Sequence, residues 1–323
     1  MLRVLINLLT TLAEKNTKQE LWTKEGELKK KAEQLNILIK DWPLADRIAF
    51  TDLAAFLQQN QLAEGLVCYH GLKSFLVANP KDNPSLLCLY NSLFPPYGRN
   101  ALRRLMLGFT KKRIKNLKGV VVASHSQKKE AEGIFSKVSV IPSGVDTNEF
   151  IPSKDRQNII GFLGRVRKEK GVELLFSLAS YYPSWQFEFA GAILDNYNEK
   201  RLPANVKLFG VVPKPSETIS RWSIMVLPSF TEAMPLSILE GMSSGLAVVA
   251  TDTGDIKDLL DDVGVVFPVG DLKRLKEALD RLTQDKSVRD ELGYKARKKA
   301  LQFDWSKVMK MWVDLLCSLE VGP

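Results

Sequence analysis

Apolar and polar residues follow a regular pattern from residue 157 onward. Short, mostly apolar runs predict strands at residues 158–163, 187–190, 206–209, 224–227 and 246–250. Between them, apolar residues recur at helical spacing and predict helices at residues 172–181, 216–222, 235–244 and 272–282. Strands that are apolar on both faces are typical of a parallel sheet covered by helices on each side. The second half is therefore predicted to be a doubly wound α/β domain.

The first half alternates in the same way, but less regularly. Strands are predicted at residues 35–39, 65–69, 86–90 and 119–123, with helices such as residues 48–58 and 101–115 between them. Residues 141–153 hold two prolines and a glycine and lack periodicity, so they mark a linker. We expect two Rossmann-like domains, residues 1–150 and 151–323, that face each other across a cleft. Ligands would bind at the carboxyl ends of both sheets.

Composition narrows the class of protein. The 323 residues are 45% apolar and 26% charged, as in a soluble globular protein. Cys68, Cys88 and Cys317 lie too far apart for a disulfide framework or a zinc site, which favours a reducing, cytoplasmic location. No apolar run approaches the roughly 20 residues of a membrane-spanning helix.

The net charge of +9 indicates an anionic partner, and nucleotides, acidic membrane surfaces and nucleic acids all fit it. We do not expect nucleic acid, because the charge is accompanied by no aromatic interleaving and no recognised nucleic-acid module.

A basic loop, residues 164–171, comes directly after a predicted strand and directly before a predicted helix. A loop at the carboxyl end of a parallel strand faces the ligand crevice, where its arginines and lysines would clamp a diphosphate. The glycine spacing matches neither the dinucleotide fingerprint nor a Walker loop. A solvated basic turn is an equally good interpretation of this loop taken alone.

Two carboxylates flank the start of the helix predicted at residues 235–244. Pro235 suits the first helical position, and the amides around Met234 and Leu236 would then be free for a phosphate or a sugar hydroxyl. Glu232 lies in the preceding loop. Glu240 lies inside an otherwise apolar helix, so it either faces solvent or reaches a ligand. Such carboxylates suit the hydroxyls of a sugar and a ribose.

Five segments resemble the motifs of the retaining glycosyltransferases of family 4 and occur in the same order as in that family. They are residues 142–150, 164–171, 206–210, 232–240 and 241–251. Members of this family have the GT-B fold. The resemblance covers residues 115–320 well and the rest weakly. It implies transfer of a sugar, with retention of configuration, from a nucleoside-diphosphate sugar to a glycan, lipid-linked or small-molecule acceptor. It also implies a reaction without cofactor or metal, and a last helix, residues 305–320, that crosses back to the first domain.

The family pattern gives matching residues their roles. Arg165 and Lys170 would bind the diphosphate and stabilise the leaving nucleotide, and Glu232 would hold the transferred sugar. Glu240 would accept hydrogen bonds from the ribose. The backbone at Gly210 and Val212 would flank the base. The remaining donor-side positions are Gly164, Ala233, Met234, Pro235 and Leu236, and the hinge holds Ser143 and Gly144.

The acceptor side departs from the family. Asn91 stands where members often carry a histidine, and an asparagine can hydrogen-bond a sugar but cannot take a proton. His70 either edges the cleft or is a structural loop histidine. The basic residues of segment 98–118 either attach the protein to an anionic membrane surface or form the solvated face of a packed helix. These departures leave an alternative function: a catalytically weak or inactive GT-B protein that binds a nucleotide sugar or serves a partner complex.

The first residues depart as well. Family members open with a strand, a Gly-Gly turn and a helix. Here Leu5, Leu8, Leu9 and Leu12 recur at helical spacing, which favours a helix, with residues 18–23 as the second strand and the first strand missing. A partner chain would then complete the sheet. The alternative makes residues 2–9 the first strand and residues 19–34 the first helix.

Overall fold

The computed structural model describes residues 20–23, 33–34, 38–41, 66–70, 84–89 and 117–320. The chain forms two compact units, the first Met1–Pro142 with Ser306–Pro323 and the second Ser143–Trp305. Residues 143–150, which the sequence placed at the end of the first domain, belong to the second unit. The physical reason is that Val145 and Phe150 are buried in the core of that unit.

The described strands of the first unit are all parallel. The strands are β1 (Glu20–Thr23), β2 (Leu38–Asp41), β3 (Val67–His70), β4 (Ser85–Leu89), β5 (Leu117–Val122) and β6 (Val138–Val140). β1 pairs with β2, and the other four form a sheet in chain order. Helix α1 (His125–Glu132) connects β5 to β6. β4 is buried along its whole length because four of its five residues are apolar and it lies inside the sheet.

Strand β1 bears on the two interpretations of the N-terminal residues. A strand at Glu20–Thr23 contradicts a first helix over residues 19–34, at least at those four positions. It agrees with a strand at residues 18–23. The apolar segment at residues 2–9, the helices predicted at residues 48–58 and 101–115, and Asn91 lie outside the described residues.

The second unit is built on one six-stranded parallel sheet. Its strands are β7 (Ile159–Leu163), β8 (Gln186–Ala190), β9 (Val206–Gly210), β10 (Ile224–Leu227), β11 (Ala247–Thr251) and β12 (Val265–Phe267). They lie in the order β12-β11-β10-β7-β8-β9. β7, β10 and β11 are buried at every position. The doubly wound α/β architecture expected from the apolar runs is therefore present.

Helices connect these strands, and their ends differ from the predicted ends by up to three residues. They are α2 (Val172–Ala179), α3 (Pro215–Ile219), α4 (Leu236–Ser243), α5 (Ile256–Leu260), α6 (Leu272–Gln284), α7 (Lys286–Ala300) and α8 (Trp305–Glu320). Helix α8 begins at the boundary of the second unit, and from Ser306 onward it groups with the first unit. Val308, Met309, Trp312 and Leu316 form its buried face.

One buried charge lies within the second unit's apolar core. Glu188 of β8 is only 3% exposed. It accepts hydrogen bonds from Trp222 Nε1 at 2.8 Å and from Arg221 at 3.0 Å. The indole of Trp222 in turn packs on Gly161 of β7, where a Cβ would overlap the ring. A carboxylate is tolerated at this depth because both neighbours donate to it.

The two segments that connect the units are paired with each other inside the second unit. Val145 N donates to Phe303 O at 2.9 Å, and Trp305 N donates to Val145 O at 3.1 Å. Asp304 accepts a 2.6 Å hydrogen bond from the Thr147 hydroxyl. Gly144 lies against Trp305, and a Cβ there would come 2.5 Å from the indole. The predicted hinge residues Ser143 and Gly144 directly precede this backbone pairing.

Candidate functional site

The strand order of the second unit marks one ligand position. β7 comes first in the unit, β8 and β9 extend the sheet on one side, and β10, β11 and β12 extend it on the other. The chain direction across the sheet therefore reverses between β7 and β10, and parallel sheets bind ligands at the carboxyl ends of strands beside such a switch point. Two loops leave the sheet there, the basic loop (residues 164–171) after β7 and the acidic loop (residues 228–235) after β10.

Backbone contacts join these two loops. Gly171 ends the basic loop in the left-handed region, at φ +67°. A Cβ at Gly171 would overlap the carbonyl oxygen of Pro228 and would lie 2.9 Å from its carbonyl carbon. Phe230 N donates to Glu169 O at 3.0 Å. Only glycine allows this approach without strain, because it both accepts the positive φ and leaves room for the carbonyl group.

The connection after β8 holds the other side of the basic loop. Asp195 accepts a 2.7 Å hydrogen bond from the Lys168 amide. Val166 N donates to Ala192 O at 2.8 Å. The Tyr197 hydroxyl lies 3.4 Å from the same Asp195 oxygen, and burial together with that carboxylate raises the pKa of Tyr197 to about 12. The backbone of the basic loop is thus held by contacts on both sides.

Lys170 and Glu232 meet where the two loops join. Lys170 Nζ lies 2.5 Å from Glu232 Oε1, and the two side chains are only 16% and 12% exposed. The residues are 62 positions apart in the sequence. An ammonium group carries three donors, so Lys170 can hold Glu232 and still donate to a second anion. The pair places one cation and one carboxylate at the rim of the sheet, where a ligand can contact both.

Glu232 is fixed by two further neighbours. Ser229 Oγ donates to Glu232 Oε1 at 2.8 Å. Glu232 N donates to Thr253 Oγ1 at 2.8 Å. Gly254 passes so close beneath the acidic loop that a Cβ there would lie 2.6 Å from the carbonyl oxygens of Glu232 and Ala233. Both the backbone and the side chain of Glu232 are therefore held in place.

Helix α4 follows the acidic loop, and its start differs from the predicted one. Pro235 is the N-cap, with φ −73° and ψ 124°, and Leu236 is the first helical residue. Proline cannot cap through its side chain. Within the described part of the chain, no acceptor contacts the amides of Leu236 and Ser237. These amides are free donors at a positive helix end, as the sequence predicted for this segment.

Glu240 lies on α4 and is 6% exposed. Of the two alternatives drawn from the sequence, the solvent-facing side chain is therefore wrong. Ser243 and Ser244 follow at the end of the helix, and Arg156 donates to the Ser244 and Gly245 carbonyls at 2.8 and 2.5 Å. The helix is thus anchored at its C-terminus, and its N-terminus faces the switch point.

The other donor-side residues lie at the same carboxyl edge. Arg165 is exposed, with its guanidinium 3.6 Å from the Glu169 carboxylate. Gly164 (φ +151°) donates through its amide to Ala190 O at 2.9 Å, and Gly191 N donates to Gly210 O at 2.7 Å. The backbones that follow β7, β8 and β9 therefore lie side by side. Val212 follows Gly210 and is partly buried.

The hinge contacts the site directly through one side chain. Ser143, which is 9% exposed, donates through Oγ to Met234 O at 3.4 Å. Ser143 and Met234 were predicted separately, as hinge and donor-side residues, and both belong to the second unit.

The structure describes few of the residues that were predicted for the acceptor side. His70 is the last residue of β3. The strand predicted from the sequence ended one residue earlier, at residue 69. Asn91 and most of basic segment 98–118 lie outside the described residues. Within the described part of the chain, no helix is long and apolar enough to cross a membrane, and no three His, Cys, Asp or Glu side chains cluster closely enough to bind a metal ion.

Sequence reasoning missed Ser229, Thr253 and Asp195. Ser229 precedes Glu232 by three residues, so its contact is local. A carboxylate three residues after a serine could have predicted this hydrogen bond from the sequence. Thr253 and Asp195 belong to other loops, 21 residues from Glu232 and 27 residues from Lys168. No local pattern identifies such partners, because only the strand order brings their loops together.

Comparison with known proteins accounts for this arrangement. Residues 146–299 match the family described as glycosyl transferases group 1. The sulfoquinovosyl transferase SQD2 of Arabidopsis thaliana is 28% identical over 190 residues, which are 50% of this chain and 36% of that protein. A D-inositol 3-phosphate glycosyltransferase of Corynebacterium jeikeium is 27% identical over 203 residues, which are 52% of this chain and 48% of that protein. The matches thus cover only a third to a half of these relatives.

Solved structures show the same fold over nearly the whole chain. A sucrose-phosphate synthase from Thermosynechococcus elongatus has a TM-score of 0.82 at 18% identity, covering 97% of this chain and 91% of that one. The Anabaena protein HepE in complex with UDP-glucose has a TM-score of 0.81 at 17% identity, covering 97% and 95%. At such identities the likeness shows the fold alone, and the predicted GT-B fold is confirmed. The ordered motifs agree with the match to the glycosyl transferases group 1 family, which covers residues 146–299, just under half of the chain.

Proposed function

We propose that this protein transfers a sugar from a nucleoside-diphosphate sugar to a hydroxyl group of an acceptor. The observation that carries the proposal is the Lys170–Glu232 pair at the switch point, within the residues that match the glycosyl transferases group 1 family. A sugar diphosphate presents an anion and a set of hydroxyls side by side. The pair offers a cation and a carboxylate in the same arrangement.

In this mechanism the diphosphate is bound by Lys170, Arg165 and the free amides at the start of α4. The bond between the anomeric carbon and the phosphate oxygen breaks, and negative charge accumulates on the departing diphosphate. Preorganised cations and amides stabilise that charge more than they stabilise the bound donor. The acceptor oxygen bonds to the anomeric carbon, and its proton leaves with the diphosphate oxygen.

Glu232 binds hydroxyls of the transferred sugar. Attack from the face that the diphosphate leaves gives retention of configuration without a covalent enzyme intermediate. We assign Glu240 to the ribose hydroxyls and the backbone at Gly210 and Val212 to the base. The reaction needs no metal in this proposal, because Lys170, Arg165 and the helix amides do the work of a divalent cation.

The acceptor is proposed to be a glycan or a lipid-linked sugar. Two of the similar proteins are named for such products: an alpha-galactosylglucosyldiacylglycerol synthase of Streptococcus pneumoniae, and a lipopolysaccharide core biosynthesis mannosyltransferase, LpsB, of Rhizobium meliloti. The net charge of +9 fits a protein that works in the cytoplasm beside an anionic membrane surface. Binding to vesicles with and without anionic lipid, at rising salt concentration, tests the membrane part of the proposal.

The experiment that tests the activity is a screen of nucleotide sugars, starting with UDP-glucose, for binding by calorimetry and for donor hydrolysis. We expect at least one donor to bind and to be hydrolysed slowly without acceptor. Lys170→Ala should lose both signals, while Lys276→Ala, which removes a lysine paired with Asp280 on α6, should keep both. If no nucleotide sugar binds to the folded protein, the proposal is refuted.

A second function is favoured by Asn91, which stands where the family often has a histidine. In that case the chain binds a nucleotide sugar but transfers it weakly or only within a partner complex. Tight donor binding without turnover, and turnover restored by Asn91→His or by a partner chain, would identify this function instead.

A further inference from the structure

Ser229 is completely buried in the second unit, yet its hydroxyl points at the proposed site. It donates to Glu232 Oε1 at 2.8 Å. Its own carbonyl accepts a 2.6 Å hydrogen bond from the Thr251 hydroxyl on β11. The backbone of Ser229 is therefore held by the strand beside β10, and the position of its side chain is set by the sheet and not by the ligand.

The carboxylate of Glu232 is contacted on one side only. Lys170 Nζ and Ser229 Oγ both bind Oε1. Among the described residues, no donor contacts Oε2. Two donors at fixed positions on one oxygen orient the plane of the carboxylate, so the second oxygen is presented in a defined direction.

The two donors on Oε1 differ in what a ligand does to them. In the proposed function, Lys170 also donates a hydrogen bond to the diphosphate, which weakens its interaction with Glu232. Ser229 has no solvent exposure and keeps its hydrogen bond. The hydroxyl thus maintains the carboxylate's orientation during the step in which the lysine is shared.

We propose that Ser229 is a positioning residue, which orients Glu232 so that Oε2 binds a hydroxyl of the transferred sugar. This inference rests on the proposed function. It predicts a specific division of labour: Ser229 contributes to recognition of the sugar and not to recognition of the nucleoside diphosphate.

The variant that tests this is Ser229→Ala. We expect the affinity for the nucleoside diphosphate, for example UDP, to be unchanged. Affinity for the matching nucleotide sugar should fall about tenfold, and kcat should fall by a similar factor, because a charge-assisted hydrogen bond is lost. Ser229→Thr restores the hydroxyl and should recover most of the loss.

Ser223→Ala is the matched control. Ser223 is a buried serine immediately before β10, at the opposite end of the strand, and it donates one 2.6 Å hydrogen bond to Gln157 O. A purely structural effect of removing a buried hydroxyl should appear equally in both alanine variants, as a lower melting temperature with no change in the ratio of the two affinities.

Crystal structures of the ligand-free parent and of Ser229→Ala give a readout that does not depend on activity. We expect Glu232 Oε1 to leave its position in the variant and to follow Lys170. An unmoved carboxylate would overturn the inference, and so would an unchanged ratio of nucleotide-sugar to nucleotide affinity. If the parent binds no nucleotide at all, the proposed function fails, while the two crystal structures still decide whether Ser229 orients Glu232.

Discussion

Gly171→Ala should be among the most destabilising glycine-to-alanine substitutions in the second unit. The left-handed backbone alone costs a non-glycine residue about 1–2 kcal/mol. At Gly171 the added Cβ would also overlap the carbonyl group of Pro228, a backbone group that cannot turn away as a side chain can. Forcing two packed backbones apart typically costs a further 1–3 kcal/mol. We therefore expect Gly171→Ala to lower the free energy of unfolding by about 3 kcal/mol.

Gly210 provides a control with the same backbone. It has the same φ of +67°, but nothing lies within 4 Å of the position where its Cβ would be. Gly210→Ala should therefore show the conformational cost alone, about 1 kcal/mol. Urea unfolding of both variants, followed by fluorescence, separates the two contributions, since the difference between them measures the collision with Pro228.

The same substitution should also damage the site. Because Gly171 lies against Pro228, moving the basic loop away from the acidic loop lengthens the Lys170–Glu232 contact. Donor affinity should fall in Gly171→Ala even under conditions where the variant is fully folded. If Gly171→Ala is no less stable than Gly210→Ala, the close approach of the two loops is not a feature of the folded protein, and the reasoning is refuted.

Three further perturbations test other parts of the structure. Lys170→Ala or Arg165→Ala should lower turnover about 100-fold or more, since in the proposed function each removes a cation that binds the leaving diphosphate. EDTA should have no effect on the parent protein. Activity lost with chelator and restored by magnesium would contradict the proposed metal-free mechanism. Glu240→Gln keeps the volume of this buried side chain and should weaken donor binding by about 1–3 kcal/mol in calorimetry, with unchanged affinity counting against the ribose assignment. Glu188→Ala should destabilise the second unit by about 3 kcal/mol in urea unfolding, because Trp222 Nε1 loses its buried acceptor. A decrease of less than about 1 kcal/mol in the free energy of unfolding would mean that water replaces the carboxylate.

The fold of the second unit could be predicted because its central strands β7, β10 and β11 are almost wholly apolar and buried at every position. A strand such as β11, with all five residues buried, has no polar face that could be mistaken for a loop or an exposed helix. The basic and acidic loops were predicted at the ligand edge for the same reason, since each directly follows such a strand. Helix ends were less predictable. Pro235 suits both the N-cap and the first helical turn, and its backbone conformation decides between them.

The contacts within the site could not be predicted, because they depend on the order of the strands. Nothing in the sequence near Glu188 indicates that Trp222 and Arg221 will donate to it, so a glutamate in an apolar run gives no sign of being a buried, paired charge. Gly171 gives no sign of its contact with Pro228 either. Each depends on two segments that fold beside each other, and a local pattern carries no information on that pairing.

Strand order also explains how Lys170 and Glu232 meet although they lie far apart along the chain. β8 and β9 and their helices are inserted between β7 and β10, yet they extend the sheet on the far side of β7. The insertion therefore leaves β7 and β10 adjacent, and Lys170 and Glu232 meet across 62 residues of sequence. The connection after β8 supports the basic loop through Asp195, so changes there would reach the pair. Changes in the loop after β9 would instead alter the surface beside Gly210, where the base is proposed to bind. In the proposed function, transfer would therefore depend on the loops after β7 and β10, and recognition of the base on the loop after β9.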